Sequence, residues 1–419
     1  MAKPLAVDAQ TAIATYLERV SCANRLLETR MENQETRGVL HNRKPLGPLP
    51  MDRIRRVDVP TTTITDAVQR VDSRNTAYGL AGRGEYGPVV QKGVKESLPG
   101  KYPISAAQKD VIDHIALTQR NPVAAERAPV PQDPEILTRH VKAVGYFLKA
   151  DVVGTCRVPE SAYYSHDKQG NPIDIRYENA IVLCMRKEQN AMRASTGSDW
   201  IGDPISFQAY QHLSVVTETM ANYVRRLGWD ASAQYGPSLV DRYSVLVPPL
   251  LLLAGIGEVS RAGIILNPYL GLAFKAAAVL TDMPLVPDKP IDFGLQSFCE
   301  HCKICAQNCP SNAISMGDKV MYNGYETWKL DTRRCASFNF TNNKGTMCNR
   351  CVKSCPWTNP PTWPHNMVRG MVMHSRLAQR IAIRASYLVG LGKDRPDDKW
   401  WFDVEYVDDV LRPWGRGEN

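Results

Sequence analysis

A chain of 419 residues with 43% hydrophobic and 22% charged residues has the composition of a folded protein of two or three domains, which excludes a disordered one. The net charge of +8 is spread without a dense Lys/Arg block among aromatics, so a nucleic-acid surface is disfavoured, and an acidic partner or plain solubility accounts for it. Eleven cysteines would suggest disulfides in a short secreted chain, but here they point to metal in a reducing, cytoplasmic setting. The opening residues, Met1 to Asp8, hold no apolar segment, and Arg55-Arg56 runs into Val57-Asp58-Val59-Pro60, which does not fit a twin-arginine leader.

In chain order, residues 1–134 form an N-terminal region with helical periodicity near Ala12–Leu27 and a Pro-broken stretch from Arg43 to Pro60. Residues 121–134 carry four prolines and read as a linker or extended crossover. Residues 135–295 alternate: a helix at His140–Lys149, a strand at Ala180–Leu183, an amphipathic helix at Phe207–Leu227, and a strand-like Gly263–Leu266. The longest apolar run, Val245–Ile256, is shorter than the roughly 20 residues a bilayer span needs and contains Pro248-Pro249, so no membrane span is expected. Residues 296–360 are Cys-rich with short elements, and 361–419 form a tail with a helix near Met367–Leu388. The fold class read from this pattern is α+β with α/β-like alternation.

The cysteines carry the chemistry. Cys299-x2-Cys302-x2-Cys305-x3-Cys309-Pro310 matches the spacing of bacterial two-cluster ferredoxins. Cys335-x12-Cys348-x2-Cys351-x3-Cys355-Pro356 matches it apart from a longer first gap. In that architecture the fourth Cys of each run serves the other cluster. One [4Fe-4S] cluster is therefore assigned to Cys299, Cys302, Cys305 and Cys355, and a second to Cys335, Cys348, Cys351 and Cys309. Zinc, which prefers two separated Cys pairs, a disulfide framework, and a single cluster with spare thiols are the competing readings. Cys22, Cys156 and Cys184 have no metal spacing and read as small hydrophobes. A two-cluster ferredoxin needs far fewer residues than precede Cys299, so a redox enzyme is favoured over a pure electron carrier.

Four segments around these motifs resemble corrinoid-dependent reductive dehalogenases. They are Thr281-Asp282-Met283-Pro284-Leu285-Val286-Pro287-Asp288-Lys289-Pro290 with Phe298-Cys299, Asp331-Thr332-Arg333-Arg334-Cys335-Ala336-Ser337-Phe338, Lys399-Trp400-Trp401-Phe402-Asp403, and Arg74-Asn75-Thr76-Ala77-Tyr78. The resemblance implies a nitroreductase-like core over 135–295 that holds cobalamin base-off, with no protein His on cobalt. A ferredoxin-like domain over 296–360 would feed it, and the tail 361–419 would cover the core. It implies replacement of halogen by hydrogen on an organohalide, an aromatic one expected. In the absence of a leader or a fused reductase domain, the chain resembles the soluble, catabolic type. An external low-potential donor is then expected (ferredoxin, flavodoxin or reductase), with no nucleic acid and no membrane. The alternatives are an epoxyqueuosine reductase-like enzyme and an iron-sulfur electron-transfer protein.

The resemblance also implies site residues. The family's proton-donating Tyr lies on a helix such as Phe207–Leu227 with a hydroxyl residue one turn earlier, which here selects Tyr223 and Thr219. Lys275 interrupts the apolar stretch Leu272 to Val279, where the family has a basic residue, and is expected beside the phenol. Gly255 and Gly257 are expected against the corrin, with a plain turn as the competing reading; nicotinamide binding is disfavoured because a third Gly is lacking. Arg334, or its neighbour Arg333, is expected to meet a halide or a phosphate of the corrinoid tail.

Overall fold

The computed structural model describes residues 46–97, 100–118, 120–237, 243–342, 347–360, 362–407 and 410–413. The helix expected at Ala12–Leu27 and Cys22 lie outside the described residues. The chain divides into two compact units, residues 1–45 with Ala128–Val130, and Leu46–Arg127 with Pro131–Asn419.

The larger unit is built around a four-stranded sheet of β1 (Val152–Arg157), β2 (Asn179–Arg186), β3 (Ala231–Gln234) and β4 (Phe274–Thr281), in the order β1-β2-β4-β3. Every pairing in it is antiparallel, so the fold is α+β, and the α/β-like alternation of the sequence does not produce parallel strands. β2 and β4 are central and apolar, with Leu183 opposite Ala277 and Met185 opposite Lys275. Side chains alternate across the sheet. Val182, Cys184, Ala278 and Leu280 join a core with Leu250 and Leu251 of a short helix, Val247–Leu253, which begins with Pro248 and Pro249 in its first turn. Cys156 and Cys184 are buried in this core as small apolar side chains.

Helices are set by local signals. In α1 (Pro134–Phe147) the Asp133 carboxylate caps the amides of Glu135 and Ile136, and Pro134 starts the helix. The helix thus begins where the Pro-rich stretch ends. The long α2 runs from Gly202 to Arg226. The segment 281–290 locks the sheet to these layers: Asp288 pairs with Lys142 at 2.6 Å and accepts from the Thr155 amide at 2.8 Å, and the Val286 amide donates to Thr138 Oγ1.

The core is continuous from Leu49 and Val152 through Phe298, Cys305 and Trp357 to Trp401. Within the larger unit this core runs across positions 134, 295 and 360. The single tail helix expected near Met367–Leu388 is two helices, Trp363–His374 and Arg376–Leu388, separated at Ser375, whose extended backbone and hydroxyl cap start the second. Among the described residues no helix is long and apolar enough to cross a membrane.

Candidate active site

The eight motif cysteines arrive on short elements. Cys299 rides on a helix, Leu295–His301, with Cys302 at its end, and Cys305 on the single turn Ile304–Gln307. Cys335 lies on the helix Thr332–Thr341, capped by Asp331, and Cys351 on the turn Arg350–Lys353. The chain crosses between the two runs. Cys299, Cys302, Cys305 and Cys355 line one cavity, together with Phe298, Trp357 and Arg261. Burial, and then its neighbours Cys305, Cys299 and Cys302, hold the Cys355 thiol well above the usual range. In the other group, burial and then Cys348, Cys335 and Cys309 push Cys351 up to about 12, against the pull of Lys187. Burial also acts upward on Cys309, but hydrogen bonds from Ser311 and from the backbone at Ala313 outweigh it and leave that thiol lowered.

These are two groups of four thiols, each made of three from one run and one from the other. Among the described residues no three His, Cys, Asp or Glu converge on one point as a single ion requires. A four-iron cube instead takes one thiolate at each iron, so its sulfurs stand further apart than in a tetrahedral zinc site. The donor set is all thiol, closed and largely buried, and it fits such clusters.

A second region adjoins the Cys351 group. Lys187, just past the end of β2, is buried and donates to Asn349 Oδ1 at 2.8 Å. Burial drives its pKa well down; Lys275 acts in the same direction and Cys351 opposes. Lys275 alternates with Ala277 and Val279 onto the sheet face that carries α2, and its Nζ stands 4.5 Å from the Tyr210 ring centroid. Burial lowers Lys275 to about 8, resisted by Asp203 in the first turn of α2. Burial pushes Tyr210 up to about 12. Tyr78 is raised by burial and then by Tyr210, Cys335 and Asp203, and its hydroxyl lies 3.7 Å from Met347 sulfur. Protein surrounds Tyr78, yet 44% of its surface is open. Tyr210 and Lys275 are likewise deep but only partly covered.

The segment 298–359 matches the family model of a 4Fe-4S dicluster domain. The tetrachloroethene reductive dehalogenase of Sulfurospirillum multivorans is 26% identical over 324 residues, which cover 67% of this chain and 62% of that protein. That of Dehalobacter restrictus is 34% identical over 255 residues, covering 58% of this chain and 44% of that protein. The solved structure of the catabolic reductive dehalogenase NpRdhA superposes with a TM-score of 0.84 at 35% identity, over 90% of this chain and 55% of that one. The chain belongs to the reductive dehalogenase family. It spans less than two thirds of the length of these relatives.

The structure places the expected site residues apart from one another. Lys275 faces Tyr210, so its expected pairing with Tyr223 is corrected. Tyr223 instead shares a 2.6 Å hydrogen bond with His140 Nε2 at the other end of α2. Thr219 is exposed; the buried arc of the helix runs through Leu213, Val216, Thr217, Met220 and Val224. A face that carries Thr219 and Tyr223 together is rotated by about one residue from this arc. Gly255 and Gly257 are tied up by protein. A Cβ at Gly255, whose φ is +60°, would collide with Arg56 and the Lys289 carbonyl, and one at Gly257 with the Leu266 carbonyl. Their smallness serves packing against these protein groups. Arg334 is at the surface, 62% exposed and paired with Asp331 at 3.4 Å, and its Nη1 reaches the Asn312 carbonyl. Sequence reasoning misses Tyr210, Tyr78, Lys187 and Asp203. A signal for Tyr210 does exist: it is the tyrosine two helical turns after the first-turn carboxylate Asp203.

Proposed function

We propose that this protein is an oxidoreductase that replaces halogen by hydrogen on an organohalide, R–X + 2e⁻ + H⁺ → R–H + X⁻, with cobalamin and two [4Fe-4S] clusters. The observation that carries the reading is the continuity of Tyr210, Lys275, Lys187 and the Cys351 thiol group: a proton source and an electron-carrying site share one buried region.

Cys299, Cys302, Cys305 and Cys355 would hold one cluster, and Cys309, Cys335, Cys348 and Cys351 the other. The partly open, deep-set Tyr78, Tyr210 and Lys275 fit the wall of a corrinoid and substrate pocket in a nitroreductase-like core. We take the corrinoid to be base-off, without a protein His ligand. When bound, it would supply the two-electron reducing chemistry that breaks the carbon–halogen bond.

The chain's own residues supply the rest. Tyr210, held up to about 12 by burial, keeps its proton at neutral pH and is the proton donor. A phenolate left in a buried site is costly unless a cation faces it. Lys275, on the Tyr210 ring, is that cation, and Asp203 helps keep it charged. Surrounding protein limits water, so the proton is delivered from a defined atom. The aromatic lining suits a halogenated aromatic, and a solved NpRdhA complex contains 3-bromo-4-hydroxybenzoic acid. An external low-potential carrier as donor and a cytoplasmic location complete the reading. Anaerobic reconstitution with iron, sulfide and cobalamin, followed by halide-release assays on a halogenated aromatic panel, tests it. Bound cofactors without halide release from any member of a broad panel would reject it.

A further inference from the structure

The cavity lined by Cys299, Cys302, Cys305 and Cys355 has polar side chains in its wall as well as thiols: Ser260, Arg261 and Trp357. Ser260 Oγ donates to the Ile264 carbonyl at 2.7 Å. The Arg261 guanidinium is committed to the carbonyls of Cys299, Glu300, Ser315 and Gly317. Trp357 differs. It is 5% exposed, and its indole Nε1 is buried with no hydrogen-bond partner among the described residues.

Buried indole N–H groups ordinarily find an acceptor. The Trp357 ring is not free to turn and look for one. It is held edge-on by Phe293, with centroids 5.1 Å apart at 76°, and by Phe298, 5.5 Å apart at 71°. Its backbone N–H lies close enough to the Cys355 thiol to pull that thiol's pKa down against burial. The residue therefore sits two positions from a ligand, lines the ligand cavity, and carries a donor with no acceptor among the described residues. Cluster sulfurs are acceptors.

We propose that the Trp357 indole N–H donates a hydrogen bond to a sulfur of the cluster held by Cys299, Cys302, Cys305 and Cys355, and thereby raises that cluster's reduction potential. This rests on the two-cluster reading of the thiols. A donor aimed at sulfur favours the more negative, reduced state, because a hydrogen bond to a more charged acceptor is stronger. Trp357 is thus a tuning residue for one cluster and leaves the other alone.

The test is an EPR-monitored redox titration of the reconstituted holoprotein, wild type against Trp357→Phe, with iron content measured on both. The phenyl ring keeps the stack on Phe293 and Phe298 and removes the donor. One cluster signal should move to lower potential, with about a tenfold loss in reducibility, 59 mV for a one-electron couple, while the other signal stays in place. The exchangeable-deuteron coupling of the shifted cluster should disappear in the variant. Incorporating 3-benzothienylalanine at position 357 keeps the bicyclic shape without the N–H and should give the same shift, which separates donor loss from a packing change. Unchanged potentials with full iron content overturn the proposal and leave the cluster assignment standing. Wild-type protein that holds only one cluster after full reconstitution overturns both.

Discussion

Two tyrosines on α2 show how location decides chemistry. Tyr210 and Tyr223 are 13 residues apart, about 20 Å along a helix. Near the start of the helix, Tyr210 is deep in the fold under the Lys275 ammonium and is pushed up to about 12. Near its end, Tyr223 is half-buried and shares its hydroxyl with His140. Both phenols are raised by burial. Only Tyr210 has a buried cation to stabilise what remains after proton loss, and only its surroundings run on, through Lys187, to a thiol group. A proton donor is therefore identified by what supports its conjugate base, and helical spacing alone does not reveal that.

The largest expected effect concerns the thiols that this region adjoins. Cys309→Ser should cost the group formed with Cys335, Cys348 and Cys351, and so about half of roughly eight irons per chain. Turnover should vanish with it. Retention of that group, with loss of the one nearer Cys309 in sequence, would contradict the crossing of the two runs.

Next comes the proton. Lys275→Met, with cofactor content intact, should lower turnover by about 10²–10⁴. Combined with Tyr210→Phe it should be little worse than either alone, because the pair acts as a unit. The same Lys275→Met protein should be more stable than wild type at pH 7, read as a higher melting temperature in the same cofactor state. The sign follows from the lowered pKa. The unfolded chain holds the lysine proton up to about 10.5 and the fold only to about 8. Below pH 8 the fold thus bears the whole cost of a buried charge, and the cost fades as pH rises from 8 to 10.5. The stability advantage of the variant should fade over the same range.

A smaller effect is a shift in pH profile. Turnover should fall on an alkaline limb near the lysine's pKa of about 8. Asp203 raises that pKa, so Asp203→Asn should move the limb to lower pH. A limb unmoved by this change would detach Lys275 from the rate.

Spacing made the thiol segment legible, because ligands of one cube must lie a few residues apart and the repeated run fixes which thiols cross. The sheet was only partly legible. β4 reads as Phe274-Lys275-Ala276-Ala277-Ala278-Val279, a run whose alanines suit a helix as well as a strand, and its pairing with β2 decides the matter. The start of α2 was hidden behind Gly202-Asp203-Pro204, which reads as a break although Pro is tolerated in a first turn. That placed Tyr210 too near the expected start of the helix to draw notice. Tyr78, Lys187, Lys275 and the Asp203–Tyr210 pair of α2 come from separate stretches of chain, and no local signal joins them.

The most direct test is a paired comparison of Tyr210→Phe and Tyr223→Phe, both shown to carry wild-type iron and cobalamin, in single-turnover halide release at pH 7. Tyr210→Phe should lose a factor of about 10²–10⁴. Tyr223→Phe should keep near wild-type turnover, with a stability cost of about 0.5–1.5 kcal/mol from the lost His140 bond. The reverse pattern, with Tyr210→Phe fully active and Tyr223→Phe crippled, would contradict Tyr210 as the proton donor.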